Sequence, residues 1–211
     1  MMTLAIFGGT GLTGKLVLEK ALKKGFKVKA LVRNPDKLKI NDSNLQIIQG
    51  DVLNLEDVQK TIESSDVVLS LFGHVKGSPK WLQSRGTENI LEGMRQSKVE
   101  KIISLSGGGL PFPEKDEPKF PDKMIRFIMK VAVPKVLDDA VKHAEILKNS
   151  NLKWMIVRGP RLTNEQPKGK YRVGWVGVNA STKISRTDLA DFIVKQIESD
   201  EFIFQMPFVS E

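Results

Sequence analysis

The stretch Ile6-Phe7-Gly8-Gly9-Thr10-Gly11-Leu12-Thr13-Gly14 decides the fold of this chain. A short apolar run, Leu4 to Phe7, leads into it, and a helical pattern with Val17, Leu18, Ala21 and Leu22 leads out. That order reads as strand, tight turn, helix N-terminus. Gly9, Gly11 and Gly14 fit the spacing G-x-G-x-x-G, by which such a turn holds a dinucleotide pyrophosphate. One glycine makes the turn, the next lets backbone approach phosphate, and the last lets helix and strand pack closely. Free N–H groups and the dipole at the helix start then favour the anion. The same residues, with Lys15 behind them, also begin a P-loop pattern. Position 16 is Leu, so the hydroxyl that would hold Mg²⁺ is missing and the dinucleotide reading is preferred.

Working outward, strands are expected at Thr3 to Phe7, Lys27 to Val32, Leu45 to Gln49, Val67 to Leu71, Lys101 to Leu105 and Lys153 to Val157. Helices are expected from about Gly11 to Lys24, from the cap Asn54 through Leu55, Val58 and Ile62, and from Leu82 to Ser97. Two more run from about Val136 to Asn149 and from Thr187 to Glu198. Gly25 stands where a glycine ends a helix. The strands are short, apolar and mostly not alternating, as in a parallel sheet covered on both faces. The fold class is therefore α/β, a Rossmann-like doubly wound and mostly parallel sheet, with residues 1–211 as a single domain. Ligands of such a sheet sit outside the C-terminal strand ends.

Two regions depart from the regular alternation. Residues 107–134 hold three consecutive glycines, five prolines and a run of large apolar side chains. They read as a loop and a short helix beside the cleft, either a packed excursion or a substrate wall. Residues 159–181 are loop-rich, with short strands near Tyr171 to Val176, and a last strand is expected at Phe202 to Phe208.

Composition narrows the function classes. Hydrophobic residues make up 40% and charged residues 27% of the 211 positions, ordinary values for a globular protein. No apolar run is long enough to span a bilayer, and the chain enters a strand at once, so no signal peptide is expected. The absence of cysteine excludes thiolate chemistry, disulfides and zinc–sulfur sites. It fits a cytoplasmic protein. The net charge of +8 comes from lysines spread over many segments, with no arginine-rich run. Neither nucleic acid nor membrane is therefore expected as a partner, and a monomer is. A positive field does suit a polyanionic cofactor.

The residues after the second strand choose between cofactors. An acid there bonds a ribose 2′-hydroxyl, whereas an arginine accommodates a 2′-phosphate. This chain has Arg33, with Lys37 close behind and Asp36 beyond a proline turn. NADP(H) is therefore favoured over NAD(H). Asp51, after the third strand, is placed to accept from an adenine amino group or to cap its own turn.

Gly8 to Gly14, Leu31-Val32-Arg33-Asn34 and Gly50-Asp51-Val52 in that order make the chain resemble an atypical short-chain dehydrogenase/reductase. Leu69-Ser70-Leu71-Phe72-Gly73, Ser104-Leu105-Ser106-Gly107, Lys142 to Trp154 and Val157-Arg158-Gly159-Pro160 narrow the likeness. It is closest to the NAD(P)H-binding group of NmrA-like and flavin reductase/biliverdin-IXβ reductase proteins. The length and the Ser185 to Ala190 segment resemble the latter more. The resemblance implies cofactor contacts at Gly8, Gly9, Thr10, Gly11, Leu12 and Thr13, at Arg33, Asp51 and Val52, and at Leu71, Phe72 and Gly73. It also places Ser106 near the nicotinamide and Pro160 near its carboxamide.

The chemistry is less legible. Classical relatives use Tyr-x-x-x-Lys. Here the one tyrosine is Tyr171 and position 175 is Trp, so the pair is absent. Reduction of a flavin or another planar conjugated acceptor needs less, because the cofactor supplies the hydride. The expected activity is therefore NADPH-dependent reduction of such an acceptor. Ser106 is the candidate catalytic hydroxyl, and Leu110, Phe112, Phe127, Met129 and Trp175 are the candidate acceptor wall. The alternative is an NmrA-type binding protein that senses NADP(H) without turnover. His74 is expected on an exposed loop or as a donor at the cleft mouth, and His143 on a surface helix with local ion pairs. Two histidines without ligand spacing point to no metal site.

Overall fold

The computed structural model describes residues 1–211 throughout. Its order begins with β1 (Thr3–Phe7), α1 (Leu12–Lys23), β2 (Lys27–Val32), β3 (Leu45–Gln49), α2 (Leu55–Ile62) and β4 (Val67–Ser70). It continues with α3 (Leu82–Ser97), β5 (Lys101–Gly107), α4 (Phe120–Ala132), α5 (Pro134–Lys148) and β6 (Lys153–Gly159). It closes with β7 (Arg161–Thr163), β8 (Arg172–Gly174), β9 (Lys183–Ser185), α6 (Arg186–Gln196) and β10 (Phe208–Ser210).

Local chemistry sets these limits. Gly25, at φ +85°, releases the chain from α1. The Asn54 side chain accepts from the Glu56 and Asp57 N–H groups and starts α2. Ser185 does the same for α6 through Asp188 N–H.

The strands form one sheet in the order β3-β2-β1-β4-β5-β6-β10-β8, with β7 and β9 paired separately. Every pair in it is parallel except β10 with β8. Successive strand residues serve opposite cores. Leu4 and Ile6 enter an apolar cluster with α1 and α6 residues such as Leu18 and Ile193. Ala5 and Phe7 enter another with Ile62, Ile90 and Leu147 from the helices of the other face. The chain crosses from β3 to β4 past β2 and β1, so the switch point lies between the C-terminal ends of β1 and β4.

The terminal region departs from expectation. Residues 201–204 form a turn in place of a strand, with Phe204 at φ +61°. Pro207 has no N–H for a ladder, so regular pairing starts only at Phe208. Arg161–Thr163, read from sequence as loop, pairs with Lys183–Ser185.

Candidate functional site

The turn after β1 is built from glycines packed on one another. Gly8 has φ +88°, and a Cβ there would lie 2.5 Å from the Phe72 nitrogen. A Cβ on Gly14 would collide with the Gly8 carbonyl oxygen. The turn thus depends on Gly8, which precedes the G-x-G-x-x-G spacing, as well as on Gly14. Helix α1 has Gly11 at its N-cap position, which supplies no side-chain cap, and no acid in its first turn. Its first N–H groups are left for an anion.

Two cavities lie along the C-terminal strand ends and meet at Leu71, Phe72 and Gly73. The first is lined by Gly8, Thr10 and Gly11 from the turn, Arg33 after β2, and Asp51 and Val52 after β3. Arg33 is the one cation on its wall. Asp36 does not line this cavity; it lies in a short 3₁₀ turn, where its N–H donates to Asn34 Oδ1 at 3.0 Å. Asp51 Oδ1 accepts from Leu53 N–H at 2.9 Å, so one oxygen is spent on its own turn. Phe72 packs closely on the α3 glycine Gly86, where a Cβ would stand 2.7 Å from the ring.

The second cavity is lined by Ser106, Gly107 and Gly109 after β5, and by Gly159, Pro160 and Leu162 after β6. Leu110, Met129, Val136, Leu137 and Ala140 make it largely apolar. Val136, Leu137 and Ala140 are what α5 presents to it. His74 and Gln83 are its polar side chains besides Ser106.

His74 corrects the expectation of an exposed loop residue. Its side chain is only 11% exposed, and Nε2 lies 2.7 Å from Asp139 Oδ2. Asp139, on α5, is fully buried. It accepts from Gln83 N–H at 2.8 Å, from Ser84 N–H at 3.0 Å and from Ser84 Oγ at 2.6 Å. These are the orphan donors of the first turn of α3, whose own cap position, Trp81, supplies no side-chain bond. Asp139 is thus the cap of another helix. Burial alone raises its carboxyl pKa; the bonds from Ser84, Gln83 and His74 outweigh it and hold the pKa below the ordinary value.

His143 also corrects its expectation. It is 1% exposed, with Nδ1 2.6 Å from Thr87 Oγ1 and Nε2 2.9 Å from Ser104 Oγ. The Ser104 hydroxyl donates to the Ser70 carbonyl at 3.4 Å. Nε2–H then donates to Ser104, and Nδ1 accepts from Thr87, which is the neutral ring. Burial pushes its pKa down to about 4, with Asp139 pulling in the other direction. The signal for both residues was in the sequence. Asp139 and His143 fall four apart on the stripe that also carries Ala140, Ala144 and Leu147.

The acceptor-wall candidates are not brought together. Leu110 and Met129 line the second cavity; Phe112, Phe127 and Trp175 do not. Phe112 is buried 5.8 Å from the Trp175 ring, and Arg158 lies 5.8 Å from its face. Phe127 is 64% exposed on α4. Phe112 and Trp175 are held by the buried Arg158, which bonds Asp116 through Nη1 at 2.7 Å and Nη2 at 2.8 Å. Arg158 also donates to the Leu110 and Met206 carbonyls, while Asp116 accepts from Phe112 and Val176 N–H. The first part of the 107–134 region is therefore a stapled excursion.

Tyr171 does find a lysine in space, Lys195 Nζ at 3.2 Å from its hydroxyl. The pair sits beside Asp191 and borders neither cavity. Burial raises the Tyr171 pKa, the opposite of what a proton donor needs.

Comparison with known proteins agrees with this geometry. Residues 8–200 match the NAD(P)H-binding family. An uncharacterized chloroplastic protein of Arabidopsis thaliana is 27% identical over 95% of this chain and 74% of its own length. A Veillonella parvula short-chain dehydrogenase/reductase solved with NADP has a TM-score of 0.83 at 15% identity, covering 100% of this chain and 94% of that one. A Streptococcus pneumoniae protein described as a candidate NADH-flavin reductase has a TM-score of 0.78 at 22% identity over 100% of both chains. With the glycine turn, the strand-end cavities and this match over most of its length, the chain belongs to the NAD(P)H-binding family.

Proposed function

We propose that the protein is an NADP(H)-dependent reductase of a flavin or another planar conjugated acceptor. One observation carries this: the two cavities join end to end at Leu71, Phe72 and Gly73. An extended dinucleotide laid along them has its adenosine half by Arg33 and its other half by Ser106 and Pro160. The cofactor, when bound, supplies the hydride. Thr10, Leu12 and Thr13 at the start of α1 hold the pyrophosphate, with Gly8, Gly9 and Gly11 giving it room. Arg33 pairs with the 2′-phosphate by a forked, charge-assisted bond, and the free oxygen of Asp51 faces the adenine beside Val52.

The remaining space of the second cavity is the acceptor chamber, apolar as a planar ring requires. Ser106 orients the ring edge or the carboxamide. His74, fixed by Asp139, is the group that can hand over the proton completing a two-electron reduction. The likeness to the Streptococcus pneumoniae protein supports a flavin as the first acceptor to try.

A second reading has its own support. The face that α5 presents to the chamber, Val136, Leu137 and Ala140, carries no titratable side chain, which suits a non-catalytic NADP(H) sensor. The two readings separate when protein and NADPH are mixed with FMN, FAD, biliverdin or quinones and absorbance is followed at the nicotinamide band. Turnover on at least one acceptor is expected. Tight NADPH binding with turnover on none would replace the reductase by the sensor.

A further inference from the structure

Helix α4 buries no residue. Phe120, Met124, Phe127, Ile128 and Val131 follow the spacing i, i+4, i+7, i+8, i+11, so they share one face. All five are exposed, Phe120 by 75% and Val131 by 68%. Only Asp122 and Met129, near the opposite edge, are partly covered. Met129 is the inward contact, its sulfur and methyl lying over Gly109. The helix is therefore seated by one edge and turns its apolar face outward.

The flank between these faces is basic. Lys119, Lys123, Arg126 and Lys130 gather there. None of the four takes part in an ion pair. The one acid of the helix, Asp122, is turned back on the Lys119 N–H at 2.9 Å. An outward phenylalanine and aliphatic face beside unpaired lysine and arginine is the pattern of a helix that lies in a bilayer interface.

We propose that α4 docks on an anionic lipid surface, its apolar side chains entering the acyl boundary and its cations meeting lipid phosphates. Charge decides the occupant. A second copy of the chain pairing the same face would set four unpaired cations against four more, and the helix has no free acid to receive them. Closure over the acceptor chamber would use the Met129 edge, and that edge is already seated. The scattered lysines of the sequence concealed this surface, because the four cations converge only once the segment is helical. Spanning is not involved: no helix is long and apolar enough to cross a membrane.

The test is co-sedimentation of the full chain with vesicles of phosphatidylcholine alone or with about one third phosphatidylglycerol. The protein is expected to pellet with the anionic vesicles and to be released as salt rises. Phe127→Ser with Ile128→Ser abolishes pelleting. Lys123→Gln, Arg126→Gln and Lys130→Gln each lower the partition coefficient about fivefold. These side chains are exposed, so melting and NADPH binding stay as in the parent protein and report that the variants are folded. No pelleting at low salt, or equal pelleting on neutral vesicles, overturns the proposal. So does a lipid-free dimer that the Phe127→Ser, Ile128→Ser variant dissociates, which assigns the face to a second copy.

Discussion

The two ends of the groove are made of different material. The Arg33 end is mostly backbone and strand-end residues contributed by four neighbouring strands of a parallel sheet. The Ser106 end is closed by side chains from α3, α5 and the 107–134 excursion, which come from distant parts of the chain. The first is a consequence of topology and would survive many substitutions. The second depends on a few buried polar contacts, and each can be broken singly.

The largest expected effect is at the staple of the second end. Arg158→Ala leaves Asp116 buried without its partner, at a cost of about 3–5 kcal/mol. Urea unfolding of the variant measures it. Replacing both residues by apolar ones of similar size is expected to recover most of the loss. A loss under ~1 kcal/mol for the single variant would mean that solvent already reaches the pair.

The next effect is a pH dependence. His143 has a folded pKa of about 4 against an ordinary 6.5. Between those values the unfolded chain binds the extra proton, so stability falls as pH drops through this window and levels off below it. The shift corresponds to about 3 kcal/mol. Unfolding titrations at neutral pH and near pH ~4.5, compared with a His143→Gln variant, isolate this contribution; an equal pH slope in both proteins removes the histidine from the account. Asp139 adds loss in the same direction at more acid pH, as its depressed carboxyl is protonated.

At the first end the proposed choice between the two cofactors rests on a single exposed side chain, Arg33. Arg33→Glu is expected to weaken NADPH by about 10- to 100-fold, the size of a charge-assisted bond, and NADH far less. Titration of the variant with both nucleotides checks this. Equal losses would detach Arg33 from the 2′-phosphate.

What could be read from the sequence follows the same division. The glycine run, most of the strands and the position of Arg33 were legible because local spacing creates them. Leu82 to Ser97 was legible from periodicity, yet its cap was not, since Asp139 reaches it from another helix. His143 looked like a surface residue because its neighbours Lys142 and Glu145 are charged, although the inward stripe passes through it. Phe112, Phe127 and Trp175 looked like one apolar wall. The Arg158–Asp116 pair draws Phe112 and Trp175 into the excursion, and α4 carries Phe127 away from them.

The borrowed cap also bears on how the chain folds. Ser84 and Asp139 are 55 positions apart, so α3 cannot complete its first turn until α5 has docked. Closing such a span is entropically slow relative to local helix formation. Its bonds should therefore be absent from the folding transition state and be among the last to form. Asp139→Asn would then leave the refolding rate nearly unchanged and speed unfolding, by about tenfold for a cap worth ~1 kcal/mol or somewhat more. Stopped-flow traces in both directions read this directly, and a slowed refolding limb would place the α3–α5 contact in the nucleus. With a late cap, the Ser106 end of the groove is expected to be the part of the molecule assembled last and opened first.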